Sequence, residues 1–160
     1  MSLFLTFATM NELVEILHER ACSLVLRDTN GDVTTYDKPG VRDLIWLLDN
    51  DPSRLQGACV ADKVVGKAAA GLMLRGGVDE VYGTVMSRQA LPLLNDANVK
   101  YSYGTLVERI VQPVGDNRCP LELIVRDATT ASQVEHLLRE HFAERRLTMK
   151  SDSDAENVLS

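Results

Sequence analysis

Several features that are common in enzymes and binding proteins are missing from this chain of 160 residues. It has only three cysteines, Cys22, Cys59 and Cys119, and no Cys-x-x-Cys pair. An odd number of widely spaced cysteines is typical of reduced thiols in a cytoplasm and argues against a disulfide framework or a thiolate zinc site. We therefore expect a cytoplasmic protein of bacterial type.

Long apolar runs and basic stretches are missing as well. No segment approaches the length of a transmembrane helix, and the N-terminal residues MSLFLTFATM lack the basic region of a secretory signal. The formal net charge is -6, from 17 Lys and Arg against 23 Asp and Glu. A protein that binds nucleic acid needs a basic stripe to neutralise phosphates. We expect neither a membrane nor a nucleic acid as partner.

The segment ADKVVGKAAAGLMLRGG, residues 61–77, contains the Gly-Lys pair of a phosphate-binding loop without the rest of that motif. The motif needs Gly five residues before the pair and Ser or Thr after it, and these positions hold Ala61 and Ala68. Gly-x-Gly-x-x-Gly, the dinucleotide fingerprint, is absent too. The histidines are His18, His136 and His141. No two of them have the spacing of four that places imidazoles on one helix face, so we expect no metal site.

The apolar pattern that is present predicts an α/β fold. Thr9 and Glu12 form a capping box ahead of a first helix, and Asn30-Gly31 lies between two alternating segments, which predicts a hairpin. Strand-like and helical segments then alternate up to Gly104, which indicates parallel strands in a mixed central sheet with helices on both faces. Five residues of the central segments are expected in the core: Ala69, Leu72, Met73, Val81 and Val85.

The last third of the chain is harder to interpret. Thr105 and Glu108 form a second possible capping box, which favours a helix there. The segment CPLELIVRD alternates like a strand, but Pro120 at a first helical position favours a helix. A long final helix is expected from about Ala131 to Arg146. Residues 149–160 are polar and without period, so we expect one domain over residues 1–148 followed by a disordered tail.

The segments DKVVGKAAAGLML, GVDEVYGTVMS and CPLE resemble the domain of unknown function 1893 family, over roughly Leu13 to Glu122. This resemblance implies a cytidine-deaminase-like three-layer sandwich. Deaminases of that fold carry His or Cys and a Glu at the start of the central helix, and Pro-Cys-x-x-Cys at the start of the next. Here those starts read Val65-Gly66-Lys67-Ala68 and Ser87-Arg88-Gln89-Ala90. The resemblance therefore implies a deaminase scaffold without zinc, another cofactor or deaminase activity.

In this fold the substrate pocket lies at the N-terminal ends of two central helices, where free N–H groups favour an anion. We therefore expect a non-catalytic domain that binds a small anionic ligand such as a nucleotide. The expected ligand-binding residues are Asp62, Lys63, Gly66, Lys67, Arg88, Cys119 and Glu122. The alternative is that both lysines are solvated surface residues and Gly66 only forms a tight turn.

Two further functions stay open at this point. The protein is an enzyme of another class if Cys119, placed as a thiolate at a helix start, or Lys67 carries a reaction. It is instead a homo-oligomeric interaction or signalling module if its aromatic side chains form an interface, and a homodimer is the expected assembly. The aromatic candidates are Trp46, Tyr82, Tyr101 and Tyr103. Aromatic residues on strands more often pack on the sheet.

Overall fold

A computed structural model describes residues 7–38, 40–111 and 120–159, with side chains described as far as Arg146. Helices and strands alternate along most of this length. The helices are α1 (Met10–Glu19), α2 (Arg42–Asn50), α3 (Lys67–Gly76), α4 (Leu91–Asp96), α5 (Pro120–Ile124) and α6 (Ala131–Leu159). The strands are β1 (Leu24–Arg27), β2 (Val33–Tyr36), β3 (Cys59–Val65), β4 (Glu80–Ser87) and β5 (Lys100–Val107).

The five strands form one mixed sheet in the order β2-β1-β3-β4-β5. Strand β1 is antiparallel to both β2 and β3, whereas β3, β4 and β5 are parallel to one another. The predicted mixed α/β sheet is therefore confirmed. Its parallel part brings the ends of β3, β4 and β5 to one edge, where the helices that follow β3 and β4 begin.

The hairpin β1–β2 turns through residues 28–32. Gly31 has a φ of +89°, which is a backbone conformation that glycine adopts without steric cost. The carboxylate of Asp28 accepts the backbone N–H groups of Asn30 and Asp32 at 2.9 and 3.0 Å. The predicted hairpin is confirmed, and its turn is built by an aspartate side chain as well as by the Asn-Gly pair.

Two apolar cores lie on the two faces of the sheet. Helix α1 covers β1 and β3 with Leu13 and Leu17. The larger core joins the sheet to α2, α3 and α4, and α6 packs outside α3 through Val134 and Leu138. Most of the predicted core is confirmed, since Ala69, Leu72, Met73 and Val81 are all buried. Val85 is the exception and is half-buried, because its neighbour across the ladder, Val64, is exposed.

The second capping box is a wrong prediction. Thr105 lies in β5, which continues to Val107, and no helix follows it before residue 112. Pairing with β4 continues to the match of Ser87 with Val107, so ladder hydrogen bonds outweigh the local capping signal. The helix at Pro120 is confirmed as α5.

Helix α6 is longer than predicted. It begins at Ala131 as expected but continues to Leu159, well past the predicted end near Arg146. Residues 149–159 are thus helical where the sequence predicts a disordered tail. The apolar period of the sequence ends before this segment. The segment nevertheless contains residues that favour a helix through intrinsic propensity, without packing against the core: Met149, Lys150, Ala155 and Glu156. The division of the chain at residue 148 stays a prediction. Within the part of the chain described here, no helix combines the length and apolar character needed to cross a bilayer.

Candidate functional site

The start of α3 is capped by a carboxylate from a distant part of the chain. Glu122, in α5, accepts the backbone N–H of Lys67 at 3.0 Å and that of Ala68 at 3.2 Å, one with each oxygen. These are two of the N–H groups that a helix leaves without an internal partner. A carboxylate is also favoured there by the helix dipole. Burial raises the pKa of Glu122, and the two N–H groups and Lys67 act against this shift.

Gly66 allows this close approach. A β-carbon at position 66 would collide with the Glu122 carboxylate and would lie 3.1 Å from Ile110 Cγ1. The backbone of Gly66 is extended, with a φ of -99°, so the requirement for glycine is one of space and not of conformation. The sequence analysis expects Gly66 to admit a ligand. In the structure it admits the side chain of Glu122.

A cleft of about 350 Å³ opens on one side of Glu122. Three cationic residues line it, Lys67, Arg109 and Arg126, together with the acidic residues Glu108 and Glu122. The Lys67 ammonium donates to the backbone carbonyl of Arg126 at 2.9 Å, which connects α3 to the end of α5. We call this the basic cleft.

The cation excess in the basic cleft is increased by Arg88. Its guanidinium lies 2.6 Å from the carboxylate of Glu108, so one of the two acidic residues of the cleft is already paired. Both partners of this ion pair are more than half exposed, so it contributes little to stability. Glu122 is then the one acidic residue lining the cleft that this pair does not neutralise, and Arg126 has its own exposed partner in Asp127 at 3.8 Å.

A second cavity, of about 260 Å³, lies on the other side of Glu122 and shares Ile110 and Glu122 with the basic cleft. Its polar lining includes Ser23, Asp62 and Lys63. Its apolar lining comes from the loop before α2, from the first turn of α3 and from α5; these residues are Val41, Ala68, Ala69 and Leu121. We call this the acidic cavity, after its two carboxyl groups.

Asp62 is buried where the alternation of β3 is interrupted. Its side chain is only 7% exposed, and the next two residues, Lys63 and Val64, both face solvent. The Asp62 Oδ1 accepts the backbone N–H of Val64 at 3.1 Å. Burial raises the pKa of Asp62 to about 7. The backbone N–H groups of Val64 and Lys63 act against this shift, and the negative charge of the nearby Asp43 adds to it. A buried carboxyl group with a perturbed pKa beside a cavity is a candidate functional group.

The structure brings most of the predicted site residues together. Asp62, Lys63, Gly66 and Glu122 line the acidic cavity, and Lys67 lines the basic cleft. Arg88 lies beside the basic cleft through its ion pair with Glu108. Cys119 falls outside the described residues, so its role in ligand binding stays a prediction.

Residues 12–142 match the sequence family described as Domain of unknown function (DUF1893). This chain belongs to the DUF1893 family. A crystal structure of a DUF1893 family protein from Thermotoga maritima superposes on it with a TM-score of 0.73 and 24% sequence identity, covering 82% of this chain and 88% of the other. At this identity the similarity shows the fold alone. No curated protein matches the sequence.

Sequence reasoning missed three residues of this DUF1893 site. Ile110, Arg109 and Arg126 line the basic cleft, but Arg109 and Ile110 fall in a segment that was predicted as a helix. They follow β5 directly, and the ends of parallel strands meet at the edge where ligands bind. The strand-like pattern of residues 101–107, YSYGTLV, would therefore have placed Arg109 and Ile110 at this edge.

The carboxylate at the start of α3 comes from a distant part of the chain. The residues that begin α3 include no Glu, but the fold supplies one from α5. Glu122 is 55 residues from Lys67 in the chain, so no local motif could reveal this contact. Within the described residues of this DUF1893 chain, no three His, Cys, Asp or Glu side chains come together in a group that could hold a metal ion. The side chains described at the two helix starts therefore do not fit a zinc ion.

Proposed function

We propose that this protein is a non-catalytic domain of deaminase-like fold that binds a small anionic ligand, such as a nucleotide, in the basic cleft. The observation that carries this proposal is the convergence of Lys67, Arg109 and Arg126 from three different elements on one cleft. Cationic side chains that converge on one concave site favour an anionic group. The volume of the cleft is in the range of small-molecule sites.

The binding mode differs from the one that the sequence suggests. The backbone N–H groups of Lys67 and Ala68 are already bonded to Glu122, so the anion is held by side chains and not by the start of α3. A phosphate that displaced Glu122 would leave a buried carboxylate without its partners, at a cost of a few kcal/mol. Binding by the cationic side chains of the cleft leaves Glu122 bonded to both N–H groups and avoids this cost.

Replacement of the cleft cations tests this function. We expect Lys67→Ala and Arg109→Gln each to weaken the binding of nucleoside monophosphates about tenfold, since hydrogen bonds between charged groups contribute about 1.5–3 kcal/mol. Isothermal titration calorimetry at low ionic strength measures the dissociation constants. Lys100→Ala is the matched control, because Lys100 is exposed and lies outside both the basic cleft and the acidic cavity.

Two results would contradict the proposal. One is unchanged affinity in both cleft variants. The other is a set of ligand-induced chemical-shift changes on the β1–β2 hairpin or on α6, away from the cleft. A change in melting temperature without ligand would show instead that the variants are destabilised, so it is measured in parallel.

A homodimer in a cytoplasm remains our proposal for assembly and location. Of the aromatic side chains considered for an interface, Trp46 and Tyr103 are 49% and 43% exposed, whereas Tyr82 and Tyr101 are half-buried. Sedimentation velocity at micromolar concentration tests the dimer, and a monomer at all concentrations contradicts it.

A further inference from the structure

The acidic cavity adjoins the basic cleft, and the two together suggest a ligand with two different ends. They meet at Ile110 and Glu122, which line both. The basic cleft carries an excess of cations, and the acidic cavity carries the carboxyl group of Asp62. The basic cleft of about 350 Å³ is near the lower end of the range for small-molecule sites, and the adjoining cavity of about 260 Å³ extends it.

The burial of Asp62 is not explained by the local fold. Its bond to the Val64 N–H forms a short turn, and an asparagine side chain forms such turns equally well. A buried carboxyl group costs free energy unless a partner compensates for it. A carboxyl group buried at such a cost is a departure from ordinary strand packing, and departures of this kind are expected at functional sites.

Asp62 also keeps acceptor capacity. Its Oδ1 accepts the Val64 N–H at 3.1 Å, whereas the Lys63 N–H donates to the carbonyl of Ser23 at 3.0 Å, so Oδ2 keeps its lone pairs for a further donor. Glu122 differs, because each of its oxygens already accepts an N–H of α3. Of the two carboxyl groups of the acidic cavity, Asp62 is therefore the one that can receive a donor from a ligand.

The walls of the acidic cavity suit a flat ring. Val41, Ala69, Ile110 and Leu121 provide apolar surface, and Ala68 and Ala69 bring nothing larger than a methyl group to the helix side. Small-molecule sites are mostly apolar with a few polar groups that fix the orientation of the ligand, and Asp62 is one of the polar groups of this cavity.

We propose that the ligand of this protein carries, at the end opposite its anionic group, a planar edge with two adjacent N–H donors, and that Asp62 accepts both. A nucleotide with an amino-substituted base such as guanine has this edge. The inference rests on the proposed function, because the anionic group occupies the basic cleft. It adds a specificity-determining residue in the acidic cavity.

GMP and IMP are a matched pair of probes, because they differ by the exocyclic amino group alone. By isothermal titration calorimetry at pH 8, we expect wild-type protein to bind GMP at least about tenfold more tightly than IMP, since a site built to bond an N–H rejects the analogue that lacks it. Asp62→Asn should reduce this preference to less than about twofold, because GMP loses the bond from its amino group whereas the ring N–H that GMP and IMP share is affected equally in both. Asp28→Asn is the control, because Asp28 is also buried but bonds the N–H groups of its own turn and lines neither cavity.

The possible outcomes separate the two proposals. Equal binding of GMP and IMP, or a preference that persists in Asp62→Asn, overturns the assignment of Asp62 and leaves anion binding intact. If no nucleoside monophosphate binds, the proposed function fails and this inference fails with it. In wild-type protein, GMP should shift the amide resonances of Lys63 and Val64 more than IMP does; equal shifts also overturn the assignment.

Discussion

At the scale of single residues, Asp62 lies in an environment that differs strongly from water. It lies in β3 but does not pack like its apolar neighbours, and its burial raises its pKa from 3.8 to about 7. The protonated form is therefore favoured by folding, and the ionised form is disfavoured. The acidic cavity thus depends on pH near neutrality through a residue that the strand pattern itself marks as an exception.

Asp62→Asn should change the pH dependence of stability. Because the pKa of Asp62 is raised in the folded state, its favourable contribution is fully present below about pH 4 and is lost as the pH rises through 7. We expect Asp62→Asn to match wild type near pH 4 and to be more stable at pH 8, by on the order of 1.4 kcal/mol per unit of pKa difference. Urea unfolding at pH 4, 6 and 8 measures this.

Asp37→Asn, at an exposed position, controls for the change in net charge. A variant at Asp62 that is less stable than wild type at pH 8 would show that a partner of the ionised carboxylate outweighs its burial.

At the scale of elements, α3 owes its central position to small residues. Gly71 faces α6, and a β-carbon there would lie 2.5 Å from Val134 Cγ1 and 2.7 Å from Val134 Cβ. Gly76 is similarly close to Leu55. The helix ends at Gly76, and the capping residue Gly77 has a φ of +83°, which suits glycine. A glycine inside a helix has a cost, and close packing of α3 against its neighbours compensates for it.

Gly71→Ala should destabilise the protein although alanine is the better helix former. The propensity gain is at most about 1 kcal/mol, whereas overpacking costs typically 1–3 kcal/mol. Val134→Ala alone should also destabilise, because Val134 is fully buried. In the double variant the new methyl group fills space that Val134 leaves, so we expect a loss smaller than the sum of the two single losses.

Chemical denaturation of the four proteins in this cycle measures the coupling between the two positions. Strictly additive losses would show that α6 moves away from α3 instead of being held in contact with it.

At the scale of the whole molecule, the site exists because separate segments converge at one edge of the sheet. The start of α3, the residues after β5 and the helix α5 meet around Glu122. The buried core that supports this edge includes Val134 and Leu138 of α6, whereas the polar residues at the end of α6 belong to the predicted tail.

Removal of the residues after Thr148 tests the proposed domain boundary. We expect the shortened chain to unfold in one cooperative transition and to keep its melting temperature within a few degrees, since a loss of about 1 kcal/mol shifts it by about 2–4 °C at this chain length. It should also bind nucleoside monophosphates as the full chain does. Circular dichroism melting and calorimetry measure both. A loss of cooperativity would move the boundary toward the C-terminus.

The sequence by itself determined the local structure. The capping residue Thr9, the Asn-Gly turn, the small residues of α3 and the alternation of β3 and β4 act over a few residues, so the pattern predicts them directly. The resemblance to DUF1893 segments identified the family from three such stretches. The wrong prediction of a helix after Thr105 also came from a local pattern, because the capping signal there is outweighed by the pairing of β5 with β4.

Only the tertiary structure decided which groups meet. The capping of α3 by Glu122 joins residues 55 positions apart, and the burial of Asp62 depends on how β3 is covered. The convergence of Lys67 with Arg109 and Arg126 requires the start of α3 to meet the ends of β5 and α5 at one edge of the sheet. Such contacts have no period in the sequence, because they depend on how whole elements pack. The hydrophobic pattern thus specifies the layers, and the packing of those layers creates the charges and cavities of the site.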